Sequence, residues 1–178
     1  MELWKYFLRR AYEEATKSPD PSTQNGAIVV AMTTKDRSYT RPESHLILGG
    51  DCNRFPIGVR NTWERWHDRD LKYKFVHHAE RTTLDTVRRM HNLAHLDNWT
   101  LVCPWAACTD CAKEIIAAGI TTLVTHKQAH DRTPPGSVWF DEIIIAHQML
   151  REAGVEVISY DGKVGGPPVR HSGVIWTP

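Results

Sequence analysis

Two cysteines stand three apart in the stretch "CPWAACTDCAKEII", and upstream the stretch "HHAE" sets a histidine two residues before a glutamate. Cys108 and Cys111 form a C-x-x-C pair at the expected start of a helix. Adjacent turns there bring both sulfurs to one point, and the helix dipole with its free N–H groups favours the thiolate form. His78 adds a nitrogen donor. Three protein ligands leave the fourth tetrahedral position of a zinc ion open, and water held there loses its proton near neutral pH. Glu80 can take that proton and pass it to a substrate. Positions two apart in mid-helix point in nearly opposite directions, so His78 and Glu80 share one site only if His78 opens its helix. The preceding "KYKFV" is not helix-like, which agrees. The alternative is a purely structural zinc, which would close with a fourth protein ligand, Cys103 or His77.

The elements that must position these residues follow from periodicity. Leu3, Phe7, Ala11 and Ala15 recur at helical spacing from Glu2 to about Lys17, giving an amphipathic first helix that "SPDPSTQNG" breaks. "AIVVAM" and "HLILGG" read as a strand pair joined by a polar stretch. From Asp51 to Phe75 the chain has no sustained period and reads as a long functional loop. "HAERTTLDTVRRMHNL" offers Leu84, Val87 and Arg88 for a helix, "NWTLVC" reads as a buried strand, and "CTDCAKEIIAAG" as a helix stopping at Gly119. After it come a strand "TTLVTH", a loop with Pro134, Pro135 and Gly136, a helix from about Val138 to Ala153 with Gly154 as its stop, and a strand "VEVISY". Strands and helices thus alternate after an initial strand pair, which predicts a three-layer α/β/α sandwich on a mixed sheet. Residues 1–160 make one domain. Residues 161–178, "DGKVGGPPVRHSGVIWTP", form a Gly- and Pro-rich C-terminal arm whose Ile175 and Trp176 pack on this subunit or on a neighbour.

A chain of 178 residues can bury a substantial core without disulfides. With 41% hydrophobic and 24% charged residues, neither disorder nor a fibrous fold is suggested. Lysine plus arginine (22) nearly balance aspartate plus glutamate (21), a formal charge of +1, which argues against a long nucleic-acid partner and leaves room for a small anionic ligand. The first residues lack a signal-peptide core, and no run approaches the roughly 18 apolar residues of a membrane span. A cytoplasmic location is expected, where reducing conditions make clustered cysteines metal ligands or catalytic thiols.

His78-x-Glu80 followed by Cys108-x-x-Cys111 across an intervening strand resembles the zinc-deaminase pattern, and with "NRFPIGV", "ERWHDRDLKYKFVHHAER" and "MLREAGVEV" the chain resembles the cytidine and deoxycytidylate deaminase family from about Ala27 to Tyr160. The resemblance implies a five-stranded mixed sheet flanked by helices, with zinc held by His78, Cys108 and Cys111 between two helix N-termini, and Glu80 as the proton shuttle. It implies a small deoxyribonucleotide as substrate: activated water adds to C4 of a cytosine ring, Glu80 protonates N3 and then the departing amine, and ammonia leaves. By the same resemblance the backbone of Ala79 holds the base and Asn53 the sugar hydroxyl. Arg54 and Arg81 are the phosphate candidates, because guanidinium matches phosphate bidentately. Trp105 is the stacking candidate among the tryptophans. Family members assemble into dimers or larger rings, so a homo-oligomer is expected.

Three departures from the family pattern bear on specificity. Ala107 stands where members carry proline directly before the first zinc cysteine, so that wall of the pocket differs. Thr82 replaces the usual asparagine after "HAER". "GGDCNRF" replaces a Gly-Tyr-Asn-Gly type segment that regulated members use to sense dCTP and dTTP, which argues against that control. Substrates other than dCMP, including a modified dCMP, CMP or dCTP, therefore stay open, as does a non-catalytic zinc-stabilised binding protein. Cys52 and Cys103 read as plain buried thiols.

Overall fold

A computed structural model describes residues 2–32, 45–92 and 99–178. The polar stretch expected to join the first two strands lies outside the described residues, as do residues 93–98. Helix α1 (Glu2–Ala15) buries Leu3, Phe7, Leu8, Ala11, Tyr12 and Ala15 on one face. It crosses strand β1 (Gly26–Met32) so closely that a Cβ on Gly26 would lie 2.3 Å from the Ala15 nitrogen and 2.4 Å from the Ala11 carbonyl oxygen, so only glycine admits the crossing.

Strands β1, β2 (His45–Cys52), β3 (Thr100–Val102), β4 (Thr122–His126) and β5 (Glu156–Tyr160) form one sheet in the order β2-β1-β3-β4-β5. β1 is antiparallel to both β2 and β3, while β3, β4 and β5 run parallel, so the sheet is mixed as expected. Alternation along β1 divides the core. Ile28 and Val30 join α1, whereas Ala27 and Val29 meet the opposite layer. That layer is built from α4 (Ala79–His91), α5 (Thr109–Ala117) and α7 (Val138–Glu152), which bury Leu84, Ile115 and Leu150 against the sheet. The result is the α/β/α sandwich predicted from the alternation of elements. Gly119 and Gly154 follow α5 and α7 with φ of 80° and 76°, the left-handed conformation that ends a helix.

The region 51–75 differs from the long loop expected. It contains two short helices, α2 (Trp63–His67) and α3 (Arg69–Phe75). Elements of this length leave no readable period. Trp66 stacks on Phe55 at a centroid distance of 4.0 Å and joins Val76 in a small core of its own, and Asp68 caps α3 by accepting from the Leu71 amide at 2.9 Å.

The C-terminal residues fold back on the α1 layer. Val164 and Val169 enter the core beside α1, and β6 (Val169–His171) pairs with β7 (Val174–Trp176) as a hairpin. Trp176 packs on Tyr12 and His126 of its own chain, each at 5.8 Å between centroids, while Ile175 is exposed. A short helix α6 (Lys127–His130) links β4 to the loop before α7.

Candidate active site

Two helix starts meet at one point. His78 is the N-cap of α4, in extended conformation, and Cys108 is the N-cap of α5. His78 therefore stands just outside the helix, the condition under which it can share a site with Glu80. Its Nδ1 lies 3.4 Å from the Cys108 sulfur and 3.5 Å from that of Cys111, and the three donor atoms all fall within 4.8 Å of one another. Thr82 holds this arrangement from behind by donating its hydroxyl to the His78 carbonyl at 2.8 Å. The residue that departs from the family pattern thus fixes the backbone of the histidine donor.

Within the donor set Cys108 is the sulfur prepared for a cation, while hydrogen bonding to Cys108 and burial push the Cys111 thiol well up. The Cys108 thiol is pulled down to about 4, first by hydrogen bonding with Cys111 and then by His78 against the opposing effect of burial, so its sulfur is a thiolate at neutral pH. Burial is the largest single effect on His78 and works against charge, but the hydrogen bond to Cys108 and the charges of Glu80 and Cys108 together outweigh it, and its pKa is raised. Two cysteines and one histidine are soft and borderline donors suited to zinc. Neither Cys103 nor His77 joins the donor group found among the described residues. Cys103 is buried and accepts from the Asn25 side chain at 3.2 Å, and His77 lies 3.8 Å from Asp85. The four-ligand structural alternative therefore lacks its fourth donor here.

Glu80 is 2% exposed, and its Oε2 is buried without a hydrogen-bond partner. Burial pushes its pKa up. An unpaired carboxylate oxygen is expensive to bury unless a ligand meets it. His78, Ala79, Glu80, Trp105 and Cys108 all line one cleft of about 310 Å³, a size suited to a small molecule.

Asn53 also lines this cleft, with its hydrogen bonds largely committed. Its Nδ2 donates to Asp20 and to the Thr23 carbonyl, and its Oδ1 accepts from the Asn25 amide, leaving spare acceptor capacity for a ligand hydroxyl. Arg54 and Arg81 are not among the lining residues. Arg54 is turned to Asp51, which it grips at 2.6 and 3.0 Å. The cations in the wall are instead Arg69 and Lys72 of α3. Lys72 is buried with its Nζ 3.2 and 3.3 Å from the two oxygens of Asp20, itself buried, which the Ser22 and Thr23 amides also hold. Tyr73, Trp139 and His171 also line the wall, and of these reasoning from motifs missed Tyr73 and His171. Arg69, Lys72 and Tyr73 carry a readable signal, the i, i+3, i+4 spacing of one helix face after the capping Asp68.

A model of the cytidine and deoxycytidylate deaminase zinc-binding region matches residues 1–127. An uncharacterized deaminase from the luxG 3′ region of Aliivibrio fischeri is 29% identical over 153 residues, covering 86% of this chain and 90% of its own. Human deoxycytidylate deaminase is 29% identical over 161 residues, covering 87% of this chain and 78% of its own. Among solved structures, dCMP deaminase from the cyanophage S-TIM5 superposes with a TM-score of 0.57 at 20% identity, over 89% of this chain and 98% of that one. The Aspergillus oryzae Rib2 deaminase reaches 0.60 at 18% identity, over 90% and 85%. These two structures share the fold.

Proposed function

The chain belongs to the cytidine and deoxycytidylate deaminase family, and from that premise we propose that it hydrolyses dCMP to dUMP and ammonia, supplying dUMP for thymidylate synthesis. His78, Cys108 and Cys111 would hold zinc, the family's cofactor. Zinc, when bound, supplies a Lewis acid that lets water lose a proton near neutral pH.

The protein's own residues account for the remaining proton traffic. Glu80 receives the proton of the attacking water as the C4–O bond forms, and gives it to ring N3. The same carboxylate then carries the second proton to the exocyclic nitrogen, the C4–N bond breaks, and ammonia departs, so one water is consumed and one amine released. Its raised pKa suits a group that must both accept and return protons. The Ala79 backbone is assigned to the base, and the free acceptor capacity of Asn53 to a sugar hydroxyl. For the phosphate, Arg69 in the cleft wall replaces Arg54, whose guanidinium Asp51 occupies.

The observation that carries this reading is the buried, unpartnered Glu80 oxygen in the same cleft as a three-donor metal set. The test is ammonia release by the zinc-loaded protein on a panel of dCMP, CMP, dCTP and deoxycytidine. Turnover highest on dCMP is expected, and no release from any of them overturns the assignment. A cytoplasmic homo-oligomer belongs to the same reading. The exposed Ile144 and Ile145 on α7 give an apolar patch for self-association, which light scattering in solution reports. Among the described residues, no helix is long and apolar enough to cross a membrane.

A further inference from the structure

Residues 161–178 lie beyond the segment that the family model matches, yet their hairpin reaches the cleft. Four hydrogen bonds dock it on the loop before β1. The Gln24 amide donates to the Arg170 carbonyl at 2.9 Å, the Arg170 amide to the Gln24 side chain at 3.1 Å, the Gly173 amide to the Ser22 carbonyl at 2.9 Å, and the Ser172 amide to the Thr23 hydroxyl at 3.2 Å. The tip between β6 and β7 is tight, with Ser172 at a φ of 51°. This docking delivers His171 and Ser172 to the cleft wall.

His171 is held but not used. Its ring stacks on Trp105 with centroids 4.3 Å apart and planes inclined by 19°, which sets the imidazole plane. Among the described residues, neither ring nitrogen has a hydrogen-bond partner in the protein. The hairpin is already anchored by buried Val169 and by Trp176 against Tyr12 and His126, so its attachment does not depend on the imidazole. Burial, with Arg132 nearby, holds the ring below its ordinary pKa. It is then neutral at pH 7, with one N–H to donate and one nitrogen to accept.

Position in the cleft indicates what it meets. The reacting ring must lie against Glu80 and the metal donors. Ser172 bonds to Thr23, and Thr23 in turn accepts from Asn53, so the hairpin tip adjoins the Asn53 side of the cleft. We propose that His171, presented by the C-terminal hairpin and oriented by Trp105, hydrogen-bonds the sugar–phosphate portion of the bound nucleotide, making the arm part of the substrate site. This rests on the nucleotide deaminase reading above.

The test measures binding of dUMP to the zinc-loaded full chain by calorimetry, with deoxyuridine as the phosphate-free probe and dCMP turnover recorded separately. His171→Phe keeps an aromatic ring for Trp105 and removes the nitrogens. Loss of a hydrogen bond to a charged or polar ligand group should weaken dUMP binding by about tenfold at unchanged melting temperature and zinc content. His171→Gln, which keeps a donor and an acceptor, should recover part of that loss. A loss confined to dUMP assigns the contact to the phosphate, and an equal loss with deoxyuridine assigns it to the sugar. A folded, zinc-replete His171→Phe that binds dUMP within about twofold of the wild type overturns the proposal. If His171→Phe does not fold, His171→Ala is held to the same criterion. A wild type that binds dUMP without deaminating dCMP overturns the deaminase reading, and the His171 binding ratio still decides this one. A wild type that binds no dUMP overturns both.

Discussion

The metal corner and the opposite rim of the same cleft are built in contrasting ways. The corner uses two helix starts, with His78 and Glu80 two apart on one and Cys108 and Cys111 three apart on the other. Short spacing and a helix N-terminus do nearly all the positioning there. The rim is assembled from segments remote in sequence, with Lys72 of α3 bonded to Asp20, Thr23 to Ser172, and Trp105 to His171. A corner of this kind is specified by local geometry and tolerates drift elsewhere. A rim of this kind depends on long-range docking, so it can change substrate without touching the chemistry.

The largest expected effect would separate proton transfer at the corner from metal holding. Glu80→Gln keeps the shape of the buried side chain and removes its basicity. Turnover should fall by about 10³-fold, within the range that a positioned acid–base group contributes. Zinc content, read by atomic absorption, should stay at the wild-type level because Glu80 is not one of the three donors. Loss of metal in this variant would make Glu80 a structural residue and erase the distinction.

Next in size is the buried ion pair of the rim. Asp20→Asn leaves the Lys72 ammonium without its counter-charge in a place where both side chains are buried in the cleft wall. Breaking one side of such a pair costs about 3 to 5 kcal/mol. For a chain of this length that is a fall in melting temperature of about 10 °C. The zinc content should not change, since none of the three donors touches the pair. The double variant Asp20→Asn with Lys72→Met should recover most of the lost stability, because an apolar replacement of a buried pair is often near neutral. A melting temperature that stays put in Asp20→Asn would show the rim to be softer than its burial implies.

The same contrast explains what could be read from sequence. The corner was legible because zinc chemistry demands particular residue types at short spacing, and the helix starts can be recognised from "HHAE" and "CTDC" alone. The sheet was legible because β1, β3 and β4 are apolar runs bounded by turns. The region 51–75 was not, since α2 and α3 span five and seven residues and owe their helicity to Trp66 on Phe55 and to the Asp68 cap. Arg54 is a phosphate candidate on the resemblance of its neighbours to the family. Nothing in the string "GGDCNRF" reveals that Asp51, three residues earlier, takes the guanidinium. The hairpin contact was least legible, for His171 and Trp105 are remote in sequence and share no pattern.

The smallest effect concerns the joint between the arm and the body, and it is read through pH. His126 is buried, accepts or donates at 2.7 Å with the Tyr12 hydroxyl, and bonds the Gly162 carbonyl at 2.9 Å, while Trp176 stacks on its ring. With Nε2–H donating to Gly162, a neutral ring leaves Nδ1 to accept from Tyr12. Burial lowers its pKa, opposed more weakly by Gly162, Gln128, Asp161 and Asp131. A histidine lowered in the folded state binds its proton more readily when unfolded, so its contribution is complete above the ordinary value of 6.5 and is lost as pH falls from there toward the folded value. Protonation would also put a second N–H against the Tyr12 hydroxyl and oblige that hydroxyl to turn. Between pH 7.5 and 5.5 the melting temperature should therefore fall by a few degrees more in the wild type than in His126→Gln, where nothing titrates. Equal slopes in the two proteins would mean that the arm is held by Val164, Val169, Trp176 and its hydrogen bonds to the loop before β1, and that the His126 joint beneath it is incidental to the rim.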